Sequence, residues 1–148
     1  MTLLFNITKV KELMTPHPLM ISPGATLEQA AKKMETINCG ALPVGTESKL
    51  SGMITDRDIV IRALARGQNP ATAKVSSCMT EEVYACNEND SLEEAAEVMH
   101  QYKVSRLVVK NKEGHITGIL SFGNLLRNEA DPKEIANILK HCSGPVSI

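Results

Sequence analysis

Tryptophan is absent, and two Phe and two Tyr bring the aromatic share to only 3% of 148 residues. The core must therefore come from Leu, Ile, Val, Met and Ala, and an aromatic platform for stacking single-stranded bases is excluded. A basic block is also missing: 16 Lys and Arg stand against 17 Asp and Glu, a formal charge of -1. Affinity for a phosphate backbone needs concentrated cations, so neither DNA nor RNA is an expected partner. No apolar run approaches the roughly 18 residues of a membrane span. Met1 to Val10 lacks the charged start and apolar stretch of a signal peptide. The expectation is a soluble, cytoplasmic chain with no membrane association.

Paired cysteine spacings are lacking too. Cys39, Cys78, Cys86 and Cys142 form no CxxC motif and read as free, mostly buried thiols. His17, His100 and His115 are scattered, and only His141 adjoins a cysteine, Cys142. A zinc site would need Cys39 or Cys78 to join that pair through folding; no ligand spacing supports one, and no metal is expected. A catalytic set is missing as well. Asp56 and Asp58 stand two apart at a helix start and point in different directions, while Asp90, Glu93 and Glu94 read as partners of a helix dipole. Without a nucleophile and base, or paired carboxylates in a cleft, an enzyme is not expected.

What the chain does have is an internal repeat. Val10, Met14 and Thr15 recur as Val75, Met79 and Thr80, an offset of 65. The same offset carries Leu27, Glu28, Ala30, Ala31 and Met34 onto Leu92, Glu93, Ala95, Ala96 and Met99, and Leu42 and Val44 onto Leu107 and Val109. After one inserted residue Gly52 falls on Gly118, and both copies end in an apolar helix start, Asp58-Ile-Val and Asn124-Leu-Leu.

Each copy spells the same elements. A short helix precedes Met14 and Met79, and a brief strand follows at Leu19–Ile21 and at Val83–Cys86. Apolar residues at helical spacing then mark one helix through Leu27, Ala30, Ala31, Met34 and Ile37, and another through Leu92, Ala95, Ala96, Met99 and Tyr102. Thr26 with Gln29, and Ser91 with Glu94, form capping boxes at their starts. Strand pairs follow at Ala41–Val44 with Leu50–Thr55, and at Arg106–Lys110 with His115–Ser121. A last helix begins near Asp56 and near Phe122. Met20, Met34, Met53 and Met99 read as core gap-fillers.

The fold class is α/β (α+β): two β-α-β-β-α repeats at 8–66 and 73–130, joined around Gly67–Pro70, with a helix over Lys133–Lys140 in a tail at 131–148. A unit of about 60 residues is marginal alone. The two copies are expected to pack sheet against sheet about a pseudo-twofold axis.

Thr55-Asp-Arg-Asp58 ends a strand and opens a helix, where free N–H groups and the dipole suit phosphate. Thr55 can cap the helix or donate to phosphate, Arg57 adds charge, and Asp58 offers two acceptors to a ribose diol. The plainer reading is that Thr55 and Asp58 simply form another capping box.

Met-Thr before the first strand, Gly40-Ala-Leu-Pro-Val44 and Gly52-Met-Ile-Thr-Asp-Arg-Asp58 resemble the cystathionine-β-synthase-type (CBS) domain family. The duplicated resemblance covers nearly the whole chain. Ile54–Ala63 and the Ile-Leu-Lys-His-Cys-Ser-Gly-Pro145 segment are similar to small stand-alone two-CBS proteins of bacteria.

The resemblance implies clefts that draw on both repeats. One would combine Thr55, Arg57 and Asp58 with Thr80, Val83, Ala85, Val104 and Ser105. Val83 and Val104 would sandwich an adenine whose edge the backbone near Ala85 reads, and Arg106 stands where the family places a phosphate-binding base. A second, weaker cleft would combine Ser121 and Asn124 with Thr15, Pro18, Met20, Cys39 and Gly40. It is weaker because Asn124 replaces the family's usual Asp and offers one acceptor oxygen.

The implied function is a non-catalytic sensor with no obligatory cofactor. It would take AMP, ADP, ATP, S-adenosylmethionine or NAD as ligand, form a homodimer and act on a separate effector protein. The alternative is a dimerisation or protein-interaction module with vestigial clefts.

Overall fold

Leu27, Ala30 and Met34 recur on one side of an eleven-residue helix and are buried, while Glu28 and Lys32 pair on its wet side at 3.2 Å. The same logic runs through the computed structural model, which describes residues 8–121 and Lys133. In chain order the elements are α1 (Val10–Leu13), β1 (Thr15–Pro16), α2 (Leu27–Ile37), β2 (Ala41–Gly45) and β3 (Leu50–Thr55). After them come α3 (Asp56–Asp58), β4 (Ala85–Asn87), α4 (Leu92–Tyr102), β5 (Arg106–Lys110) and β6 (Ile116–Ser121). Beyond α3 the helix widens into a π-type turn over Ile59–Ala63 and tightens to 3-10 geometry over Leu64–Arg66, ending at Gly67. A 3-10 turn, Val75–Ser77, occupies the place in the second repeat that α1 has in the first. The last helix near Phe122, the helix Lys133–Lys140 apart from Lys133, and Asn124, His141 and Cys142 lie outside the described residues.

The chain divides into two compact units, and they are not the two repeats. One is Pro18–Val83; the other joins Met1–His17 to Tyr84–Ile148. Each unit thus contains the leading segment of the other repeat. In the first unit Val75 and Cys78 lie in the core with Leu27, Leu42, Val44 and Ile54. In the second, Val10 lies in the core with Met99, Leu107, Val109 and Leu120.

Backbone pairing obeys the repeat. In the second unit the sheet order is β1-β6-β5-β4, with Thr15 opposite Ile119 and, in the parallel pair, Cys86 opposite Val109. In the first unit β2 and β3 form a hairpin flanked by two single bridges, Met53 to Thr80 and Ile21 to Val44. Shifted by one repeat, these are the same pairs.

Leu19–Ile21 is therefore a correction: only Ile21 pairs, donating to Pro43 O at 3.0 Å and accepting from Gly45 N at 2.9 Å. Extending that parallel ladder would need N–H groups on Pro43 and Pro23, and proline has none. In the second repeat Val108 and Glu88 stand at those positions and donate to Tyr84 O and Lys110 O, so β4 forms.

Thr26 and Gln29 complete their capping box, with Thr26 N donating to Gln29 Oε1 at 2.9 Å. Ser91 caps Glu94 N at 3.1 Å, but Glu94 returns its carboxylate to the Ser91 hydroxyl at 3.2 Å. Both helix starts receive an incoming segment in the same way: Leu92 N donates to Thr8 O and Val10 N to Asp90 O, as Leu27 N donates to Ala73 O and Val75 N to Ala25 O. Ala31, Ile37 and Tyr102, expected on the apolar stripes, are exposed; Tyr102 instead stacks on Tyr84 with centroids 4.0 Å apart.

Candidate functional site

At the junction of β3 and α3, Thr55 still has extended backbone, φ -117 and ψ 160, while the next residue is helical. Its hydroxyl accepts from Asp58 N at 3.0 Å, and its own N–H donates to Asp58 Oδ2 at 3.1 Å. The capping box foreseen as the plainer reading is formed, and it satisfies two donors at the helix start.

Asp58 is 6% exposed, the buried charged side chain among the described residues. Burying a carboxylate demands partners. Besides Thr55 N, the Thr80 hydroxyl lies 3.3 Å from both carboxylate oxygens, and Arg62 Nε stands 3.6 Å from Oδ1. Arg62 also donates from Nη1 to Met79 O at 3.3 Å. Asp58, Arg62, Met79 and Thr80 thus form one polar cluster within the first unit.

The segment carrying Thr80 is brought up by a glycine. Met53 and Thr80 exchange two backbone bonds of 2.8 Å. A Cβ at Gly52 would sit 2.7 Å from Thr80 O and 3.1 Å from Met79 Sδ. At Gly118, the repeat partner, a Cβ would meet Met14 Sδ and come within 2.9 Å of Thr15 O. The glycine shared by both repeats therefore lets the leading Met-Thr segment lie against the strand.

Cys78 adjoins this cluster. Burial pushes its thiol pKa up, the negative charge of Asp58 adds to the rise, and Arg62 opposes it. In the second unit burial, with a smaller push from Asp90, lifts the Cys86 thiol to about 12. Both thiols are neutral at physiological pH.

Of the residues expected in the first cleft, Thr55, Asp58 and Thr80 come together in hydrogen-bonding contact. Arg57 is exposed, and its N–H donates to Asp56 Oδ1 at 2.8 Å. Val83, half-buried, closes the same unit. Ala85, Val104, Ser105 and Arg106 belong to the second unit: Ala85 and Ser105 exposed, Val104 and Arg106 half-buried.

Of the second set, Pro18, Met20, Cys39 and Gly40 lie in the first unit, and Thr15 and Ser121 in the second. Asn124 is outside the described residues. Gly40 packs on Asp56, whose N donates to Gly40 O at 2.9 Å; Cys39 Sγ donates to Ala41 O at 3.4 Å, and Met20 O accepts from Lys33 Nζ at 3.1 Å. Among the described residues no three His, Cys, Asp or Glu side chains gather as a metal site, and no helix is long and apolar enough to cross a membrane.

Arg62 and the Met79 carbonyl were not among the expected site residues. The signal was present: Asp58 and Arg62 are four apart, the spacing of facing charges on a helix.

A profile of the CBS domain matches residues 10–64 and 75–131. The CBS domain-containing protein YhcV of Bacillus subtilis is 35% identical over 137 residues, covering 93% of this chain and 96% of that one. A crystal structure of Hypoxic Response Protein I with two coordinated zinc ions superposes with a TM-score of 0.69 at 33% identity, covering 81% of this chain and 98% of the other. The CBS domain pair of protein MJ0100, in complex with 5′-methylthioadenosine and S-adenosyl-L-methionine, gives a TM-score of 0.71 at 28% identity, covering 82% and 95%.

Proposed function

The chain belongs to the CBS-domain family as two tandem repeats, and from that premise we propose that it is a non-catalytic regulatory module that binds an adenosine-containing small molecule. The observation that carries this reading is the Asp58 carboxylate, buried at a strand-to-helix turn between Thr55 and Thr80. A carboxylate held at such a turn offers paired acceptors to a ribose diol, and the adjoining helix start favours phosphate. That the MJ0100 domain pair binds 5′-methylthioadenosine and S-adenosyl-L-methionine supports the same ligand class here.

In this proposal Val83, Ala85, Val104, Ser105 and Arg106 complete the Asp58 site, with repeats at 8–66 and 73–130. A second site of Thr15, Pro18, Met20, Cys39, Gly40, Ser121 and Asn124 binds more weakly. The module is a cytoplasmic homodimer whose occupancy is read by a separate effector protein.

A thermal-shift panel of AMP, ADP, ATP, S-adenosylmethionine and NAD, with and without Mg²⁺, tests it. A ligand at 100 times its Kd stabilises the fold by about 2.7 kcal/mol, a Tm rise of roughly 5–10 °C for a chain of this size. At least one compound should give that rise; none doing so would overturn the sensor reading.

A second reading, an interaction module with unused clefts, is favoured by Val60, Ile61 and Leu64, which are 52%, 47% and 52% exposed beyond α3. It predicts no shift with any adenosine compound together with a dimer by sedimentation.

A further inference from the structure

The Asp58 carboxylate already has partners, and their quality is uneven. A carboxylate accepts about four hydrogen bonds. The Thr55 N–H, at 3.1 Å, is part of the helix cap and has no other role to move to. The Thr80 hydroxyl lies at 3.3 Å from both oxygens, beyond the 2.7–2.8 Å typical of such bonds. Arg62 Nε stands at 3.6 Å, an ion pair rather than a hydrogen bond, from a side chain 46% exposed. A ribose diol needs two acceptor positions on this carboxylate; with Thr55 and Thr80 in place, Arg62 holds one of the two that remain.

We propose that Arg62 is an intramolecular competitor for Asp58, displaced when the diol of an adenosine ligand docks there. This rests on the ligand class proposed above and adds how that site is regulated. Arg62 reaches two acceptors at once, Asp58 Oδ1 and Met79 O at 3.3 Å, so it ties the helix after α3 to the segment bearing Thr80. Thr80 itself stays anchored to Met53 by two backbone bonds of 2.8 Å. What the ligand releases is therefore the guanidinium and not the segment. The freed charge lies beside the exposed Val60, Ile61 and Leu64, so occupancy changes the surface of that helix.

The competitor role makes a prediction opposite in sign to a ligand-binding role. Removing an ion pair whose guanidinium is 46% exposed, and which must break on binding, should tighten affinity about two- to fivefold. Calorimetric titration of AMP and of S-adenosylmethionine into wild type, Arg62→Ala and Arg62→Gln measures this, with Tm recorded for each protein. Tighter binding by both variants is the expected result. Unchanged or weaker binding by both, with wild type binding normally, overturns the competitor role and leaves the sensor reading standing. Binding to none of the three proteins overturns both.

Discussion

A methyl group at Gly52 would press on the Thr80 carbonyl, a backbone atom that cannot turn aside. Gly52→Ala should therefore cost about 1–3 kcal/mol of stability, read from urea denaturation, and Gly118→Ala should cost a similar amount through Thr15 O. Gly67 has open space around it but φ +75; Gly67→Ala should cost about 1 kcal/mol by backbone strain alone. The two kinds of glycine look alike in sequence. The recurrence of Gly52 as Gly118 was visible; that both admit a Met-Thr segment from elsewhere in the chain was not, because close approach leaves no local pattern.

Cys86 makes a prediction about pH. Its folded pKa, pushed up to about 12 by burial and Asp90, exceeds the ordinary value of 9.0. Between those limits the unfolded chain releases the proton and the folded chain keeps it. Stability therefore falls as pH rises above 9, by up to ~1.4 kcal/mol per pH unit for this one thiol. Cys86→Ala should show a shallower alkaline loss than wild type in denaturant titrations from pH 8 to 11. Equal slopes would show that the thiol stays unlinked to folding.

At the scale of elements, the starts and most of the buried faces of α2 and α4 were legible. Apolar spacing gave their faces, and Thr26 and Ser91 marked their starts. Their C-termini both turn left-handed, at Asn38 with φ 51 and Lys103 with φ 54. Asn tolerates that region; Lys does so at a cost that glycine avoids. Lys103→Gly should raise stability by up to ~1 kcal/mol, measurable as a rise in Tm, while Asn38→Gly should change little.

The hairpins β2–β3 and β5–β6 were also legible from short apolar runs broken by turn residues. The expected strand Leu19–Ile21 was not borne out, because Pro23 and Pro43 deny the ladder its next donors on either side of Ile21. The prolines were in view, but which residue each faced depended on a parallel register that no local rule supplies. The π-type turn after α3 had no signal in the apolar spacing of Ile59–Ala63.

For the molecule as a whole, the repeat announced two units but not their exchange of leading segments. Val10 is fully buried among residues of the second repeat and Val75 among those of the first. Val10→Ala should therefore destabilise by about 2 kcal/mol, although the residue stands far from its core partners in sequence. Residues 68–148 expressed alone lack that segment and should show no cooperative thermal transition by circular dichroism. A cooperative transition would mean that the second repeat closes its core without the exchange.

In the proposed function the Asp58 turn holds an adenosine ligand. Calorimetric titration of AMP and S-adenosylmethionine into wild type and Asp58→Ala tests it most directly, at a temperature where circular dichroism finds both folded. Saturable binding to wild type and at least tenfold weaker binding to the variant are expected, as the loss of a charged hydrogen-bonding group implies. Equal affinity in the two proteins would contradict it, leaving Asp58 with Thr55, Arg62 and Thr80 as a structural cap.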